Sequence, residues 1–267
     1  MRERAPGRTR PLAVAVLAAG RGSRLPRQVA DVPKWFLTVG GSSIMQWQID
    51  GFRRAADRWS RLLVVTGHRN DAFDGRLLSA TLERPCELVA NPMYASHNNW
   101  LSLHLALTRL VDDGWDGGVC VVNADLLLDP AVLARFLETA AGADRSLLAV
   151  DFHAPGSEEQ MKVVVDAARR RALDIGKDRL EGPPSGEFIG LSTLAPSDLP
   201  LLRTVLSSFL ADPGRSSEWY EGAYREAMRR GLEFELFPVD TGRWIEIDNA
   251  DDLERAQELA SVLSQGE

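Results

Sequence analysis

Lysine is nearly absent from this chain. It stands only at Lys34, Lys162 and Lys177, leaving 28 arginines among the 31 basic residues. Any one of them alone would read as a residual surface lysine. In so biased a chain, however, a retained lysine marks a place where a compact ammonium does what a planar guanidinium cannot. All three border apolar runs, which predicts a shared pocket. Cysteine is as sparse: Cys86 and Cys120 give neither a disulfide framework nor zinc spacing, and Cys120, inside the apolar run 119–122, reads as a buried thiol. No apolar run approaches the roughly 18–20 residues that cross a bilayer. A basic surplus is missing too. The 267 residues carry a net charge of −7 with no polybasic run beyond the N-terminal tail, which argues against nucleic acid or an anionic membrane as partner. Small anionic substrates stay compatible, because a pocket can be positive within an acidic protein.

The composition, 45% hydrophobic and 26% charged, is that of an ordinary globular protein. Residues 1–10 read as a disordered tail and 11–267 as one domain, with a nucleotide-binding half at about 11–150 and an acceptor-binding half at about 151–267. The arginines before the short apolar run 12–19 superficially resemble a secretory signal. Such a signal would consume the loop described next, so a cytoplasmic protein is the expectation.

That loop is Leu17-Ala18-Ala19-Gly20-Arg21-Gly22-Ser23-Arg24-Leu25, followed by Pro33-Lys34. It leaves a strand-like run and supplies glycines, two arginines and a lysine. Gly20 and Gly22 let backbone amides approach phosphate oxygens, and Arg21 and Arg24 add forked donors. A P-loop would need Gly-Lys-Ser/Thr where Gly22-Ser23-Arg24 stands. A dinucleotide fingerprint would need a third glycine where Leu25 stands.

Strand-like runs at 12–17, 62–66, 87–90 and 118–122 alternate with amphipathic stretches at 43–57, 98–111 and 131–139. This predicts an α/β, Rossmann-like mixed and mainly parallel sheet flanked by helices. Short strands at 162–165, 171–175 and 188–194 should cover the acceptor side. Helices at 196–210 and 218–230, a strand at 233–239 and a closing helix at 250–263 complete the pattern. Ligands of such sheets lie at the carboxyl ends of the strands, where the first loop and Asn123-Ala124-Asp125 should meet.

A lone Asp after a strand is commonly a cap or turn residue. A second acidic segment, Trp244-Ile245-Glu246-Ile247-Asp248-Asn249, changes that reading, because Glu246 and Asp248 share one face of an extended segment. Side-by-side carboxylates call for a cation, and Mg²⁺ takes one or two protein carboxylates beside phosphates and water. Asp125 and Asp248 are the expected metal ligands, with Glu246 as an outer or alternative one. Asp248 is also a candidate cap of the closing helix. Asp129 and Asp151 are weaker candidates.

Together the loop, Pro33-Lys34 and Asn123-Ala124-Asp125 resemble the nucleotidyltransferases of the nucleotide-diphospho-sugar transferase superfamily. Asn91-Pro92-Met93-Tyr94, Asn98-Asn99-Trp100, Met161-Lys162-Val163, Gly186-Glu187-Phe188-Ile189-Gly190, Trp219-Tyr220-Glu221 and the 244–249 segment are similar to cytidylyltransferases acting on phosphocholine and phosphonates. The resemblance runs from about residue 12 to the closing helix. Two departures concern acceptor shape: Val29 or Ala30 stands where the family often has Thr, and Trp35 where a smaller residue is usual.

The resemblance implies a Mg²⁺-dependent transfer of CMP from CTP to a small phosphate or phosphonate, with release of pyrophosphate. Residues 17–22 and Asn123 would bind the nucleotide, Arg21 and Arg24 the leaving pyrophosphate, and Lys34 the α-phosphate or the acceptor. Lys162, Lys177, Glu187, Asn99, Trp219 and Tyr220 would bind the acceptor. Trp219 and Tyr220, with Tyr94 or Trp100, could cage a quaternary ammonium, or Glu187 or Glu221 could pair with a primary amine. The rivals are a sugar-1-phosphate nucleotidyltransferase, a glycosyltransferase, whose usual Asp-x-Asp is here Asn123-Ala124-Asp125, and a non-catalytic sensor. A homodimer is compatible with the sequence.

Overall fold

The computed structural model describes residues 11–26, 29, 31–141, 143–153 and 159–265. The expected tail at 1–10, and Ala30, lie outside the described residues.

The sequence LAVAVLA forms β1 (Leu12–Ala18), and all seven residues are buried. A strand buried on both faces lacks polar alternation, as the inner strands of a covered sheet do. Leu12, Val14, Val16 and Ala18 pack into one apolar cluster, and Ala13, Ala15 and Leu17 into another on the opposite face. After the phosphate-type loop come a 3-10 turn (Lys34–Phe36), β2 (Thr38–Val39) and β3 (Ser42–Ser43), then α1 (Ile44–Arg54). Ser43 and Gln46 form a reciprocal capping box that fixes where α1 starts.

The chain continues through β4 (Trp59–Thr66), α2 (Gly75–Leu82), β5 (Cys86–Ala90), α3 (Asn99–Asp112), β6 (Val119–Asn123), β7 (Leu126–Leu128) and α4 (Pro130–Ala141). Then follow β8 (Ser146–Asp151), β9 (Lys162–Val165), β10 (Ala172–Gly176), β11 (Gly186–Leu194), α5 (Leu199–Leu210) and α6 (Tyr220–Arg229). The chain closes with β12 (Phe234–Pro238), β13 (Trp244–Glu246) and α7 (Ala250–Gln265).

Nine strands form one mixed sheet in the order β10-β9-β11-β6-β1-β4-β5, with β8 joined to β11 and β12. The neighbours β6, β1, β4 and β5 are mutually parallel. The second half of the chain brings the antiparallel pairs of β11 with β6, β8 and β9. This is the expected Rossmann-like α/β architecture.

Two elements depart from the periodicity reading. The strand β8 is a continuous buried run at the point where the sequence pattern changes, so alternation does not reveal it. The helix α2 is only eight residues long and depends on the Asp74 side chain, which accepts from the amides of Arg76 and Leu77.

Candidate active site

Register brings the two sequence signals together. β1 and β6 run parallel with Leu17 opposite Asn123, so both loops leave the same edge of the sheet. The acidic segment arrives through a different pairing: β13 lies antiparallel to β7 with Glu246 opposite Leu126, and the Ile247 amide donates to the Asp125 carbonyl. Residues 120 and 122 positions apart in sequence thereby become neighbours. The resulting cleft of about 340 Å³ is lined by residues 17–24, Lys34, Asn123–Asp125, Glu246 and Asp248, among others.

Lys34 occupies its centre. The ammonium lies 2.8 Å from Asp125 Oδ2 and 2.6 Å from Asp248 Oδ1, with its side chain only 14% exposed. Burial by itself would lower the Lys34 pKa, but the two carboxylates outweigh it and hold the group above its ordinary value. Asp248 is pushed up by burial and pulled further down by Lys34 and Arg24, so it stays below the ordinary carboxylate range. Arg24 reaches the other Asp248 oxygen at 2.8 Å and Glu159 at 3.2 Å. Arg21 lines the cleft with its guanidinium over the Tyr94 ring, 5.5 Å from the centroid. Gly22 takes φ +61°, the left-handed conformation that favours glycine.

Asp248 is not the cap of the closing helix. Asn249 fills that role, its side chain accepting from the amides of Asp251 and Asp252, which leaves the Asp248 carboxylate to face the cleft.

Residues 14–181 match the family of MobA-like NTP transferase domains. This chain belongs to that family. It accordingly carries an NTP transferase domain. The bifunctional protein GlmU of a Nostoc species is 28% identical over 145 residues, which are 53% of this chain and 29% of that protein. GlmU of a Cyanothece species is 23% identical over 158 residues, or 58% and 32% of the two chains. The chain thus spans less than a third of the length of these curated relatives.

Solved structures share the fold over nearly their whole length. The CTP:phosphocholine cytidylyltransferase from Streptococcus pneumoniae superposes with a TM-score of 0.73 at 18% identity, covering 94% of this chain and 99% of that one. The inositol-1-phosphate CTP transferase from T. maritima gives 0.71 at 20% identity, with 96% and 97% covered. A UDP-glucose pyrophosphorylase complexed with UDP-glucose gives 0.73 at 14% identity, with 97% and 100% covered.

Within this domain the acceptor residues expected from the sequence are scattered. Lys177, Asn99 and Trp219 line the cleft, whereas Tyr220, Lys162 and Glu187 are not among its lining residues. Tyr220 is fully buried and donates its hydroxyl to Asn123 Oδ1 at 3.2 Å, so it offers no face to a ligand. Lys162 donates to the Lys177 carbonyl at 2.9 Å, which ties β9 to the end of β10. The shared lysine pocket therefore holds Lys34 and Lys177 only. Asn99 accepts from the Tyr220 amide at 3.0 Å and so caps α6 from a neighbouring helix.

Glu246 lines the cleft but receives a hydrogen bond from Asn123 Nδ2 at 3.2 Å. Burial, reinforced by Asp125 and Asp248, pushes its carboxyl up to about 8. Among the described residues no three acidic, histidine or cysteine side chains form a metal-binding group, and Glu246, Asp125 and Asp248 all line the one cleft. Asp129 caps α4 through the Ala131 amide and pairs with Arg243. Asp151 is buried at the end of β8, where it accepts from Thr241 and Trp244.

Glu187 is paired with Gln160 Nε2 at 2.6 Å. Burial and then Asp151 push its carboxyl up to about 7, against the pull of Gln160 and Lys162. The folded protein therefore holds a proton that the unfolded chain releases nearer the ordinary value of about 4.3. Stability from this group falls as pH rises through that window. Glu187→Gln should raise Tm at pH 8 and leave it nearly unchanged at pH 5. Thermal melts at the two pH values test this, and an equal shift at both would disprove it.

Sequence reasoning missed Gln48 and Gly190. Gln48, fully buried on α1, donates to the carbonyls of Asn123 and Leu126, both at 2.9 Å, and accepts from Trp35 Nε1 at 2.9 Å. One side chain thus fixes the loop that carries Asp125 against the turn that carries Lys34, and Trp35 acts as its anchor. Gly190 has φ +80°, and a Cβ there would lie 2.6 Å from Asn123 Nδ2. A buried glutamine in an amphipathic helix gives no signal of either role. Gln48→Met keeps the volume but strands two carbonyls and an indole N–H, so it should cost about 2–4 kcal/mol of stability. It should lower turnover as well; denaturant melts and steady-state rates would measure both effects.

Proposed function

We propose that this nucleotidyltransferase joins CMP from CTP to a small phosphate or phosphonate and releases pyrophosphate. The observation that carries this reading is the convergence of the glycine–arginine loop, Lys34, Asp125 and Asp248 on one cleft. An acceptor oxygen, already ionised near neutral pH, attacks the α-phosphorus of CTP. The new P–O bond forms as the bond to the bridging oxygen breaks, and that electron pair leaves with pyrophosphate. No general base is required, so catalysis consists of positioning and charge stabilisation. Arg21 and Arg24 hold the departing pyrophosphate, and Lys34 contacts the α-phosphate or the incoming oxygen.

Asp125 and Asp248 suit a hard divalent cation, because two carboxylates at the cleft match the small protein share of a Mg²⁺ shell. They would hold Mg²⁺, which supplies charge neutralisation to the phosphates. Lys34, bound to both carboxylates, is then free to turn towards the nucleotide.

Two of the similar structures carry names that specify CTP, which supports cytidine. The equal superposition of a UDP-glucose pyrophosphorylase favours a second reading, a sugar-1-phosphate nucleotidyltransferase. Pyrophosphate release with Mg²⁺ decides between them, when CTP, UTP, dTTP, GTP and ATP are each tested against small alkyl phosphates, phosphonates and glucose-1-phosphate. Release confined to CTP and an alkyl acceptor supports the first reading. Release with a sugar phosphate and another nucleotide replaces it with the second.

A further inference from the structure

We infer that Glu221 reads the far end of the acceptor and selects a protonated amine bearing N–H donors over a quaternary ammonium. This rests on the transfer proposed above and deepens its acceptor class.

Glu221 sits in the first turn of α6, is 4% exposed and lines the cleft, yet its Oε2 is buried without a hydrogen-bond partner. A buried carboxylate oxygen left unpaired is costly, and such atoms in folded proteins are uncommon. Burial pushes the group up to about 7, against its own backbone amide, the Tyr220 hydroxyl and Lys177, with Asp125 adding to the rise. The cleft therefore presents a buried acceptor atom without a partner, on a carboxyl whose charged form burial disfavours. A ligand ammonium N–H satisfies that atom, and its positive charge favours the ionised form.

A trimethylammonium group would need something else, namely a free aromatic face. Among the described residues the aromatic side chains at the cleft are buried or already hold a cation on one face, and Trp219 is 38% exposed. The Trp219 ring already carries the Lys177 ammonium 4.5 Å from its centroid, and Tyr94 carries Arg21. Tyr220 and Trp100 are fully buried, and Phe188 is 3% exposed and packed edge-on against Tyr220. A quaternary ammonium also has no hydrogen to give Oε2.

The test is pyrophosphate release with CTP and Mg²⁺ for two matched pairs: phosphoethanolamine against phosphocholine, and 2-aminoethylphosphonate against 2-hydroxyethylphosphonate. The amine of each pair should be favoured in kcat/KM by about 10- to 100-fold, the effect of one charge-assisted hydrogen bond. Glu221→Gln should remove that preference while the KM for CTP holds, and Glu221→Asp should recover part of it. Phosphocholine used as well as phosphoethanolamine, or a preference that survives Glu221→Gln, overturns the inference while leaving the transfer reaction standing. No release with any of the four acceptors overturns both. Calorimetric CTP binding then shows whether the nucleotide assignment falls with them.

Discussion

Turnover of a Lys34→Met protein should fall by about 10²- to 10³-fold, the usual consequence of deleting one preorganised group that stabilises transition-state charge. Methionine keeps the aliphatic stem and removes only the ammonium, which in the resting protein bridges Asp125 and Asp248. The same substitution removes the cation that the two carboxylates share and leaves Asp248 with Arg24 alone. Without divalent metal, Tm should therefore drop, and added Mg²⁺ should raise the Tm of the variant more than that of the parent. Single-turnover rates and metal-titrated melts give the two readouts. A variant with full turnover would remove Lys34 from the chemistry, and one with an unaltered metal response would mean that it does not hold the carboxylates together.

The carboxylates themselves should give the other large effect. Asp125→Asn and Asp248→Asn should each lower kcat/KM by at least about a hundredfold and raise the Mg²⁺ concentration needed for half-maximal rate. Because both pair with Lys34 in one cleft, the double variant should lose far less than the product of the single losses. Steady-state kinetics over a metal series would show this, and multiplicative losses would mean that the two residues act independently. Asp125 is fixed by Gln48 through the neighbouring carbonyls, and Asp248 by the turn that Asn249 and Asp252 close. Each is therefore held by backbone bonds that an Asp→Asn change leaves in place.

The parts of this protein that could be read from sequence are those whose physics is local. A strand followed by a glycine–arginine loop is recognisable because the strand is a continuous apolar run and the loop turns through a left-handed residue at Gly22. The same holds for Asn123-Ala124-Asp125 after Val119–Val122 and for the alternating acidic segment at 244–249. Lys34 stood out through the rarity of its residue type. The acceptor side could not be read in this way. Tyr220 and Trp219 are adjacent in sequence, yet one is fully buried on α6 and the other lies at the cleft, because a helix start turns consecutive side chains in different directions. Lys162 and Glu187 stand opposite each other across β9 and β11, where strand register gives them partners within the sheet.

The sequence by itself therefore determined the α/β class, the glycine–arginine loop after the first strand and the acidic residues at strand ends, since each depends on the chain within a few residues. Only the tertiary structure decided that Lys34 joins Asp125 to Asp248, that Asn249 rather than Asp248 caps the closing helix, and that Gln48 braces both halves of the site. It also left Glu221 buried with an unpaired oxygen. Those outcomes depend on strand register and helix packing between residues up to 214 positions apart, and side-chain satisfaction at such distances is set by the whole fold rather than by any local pattern.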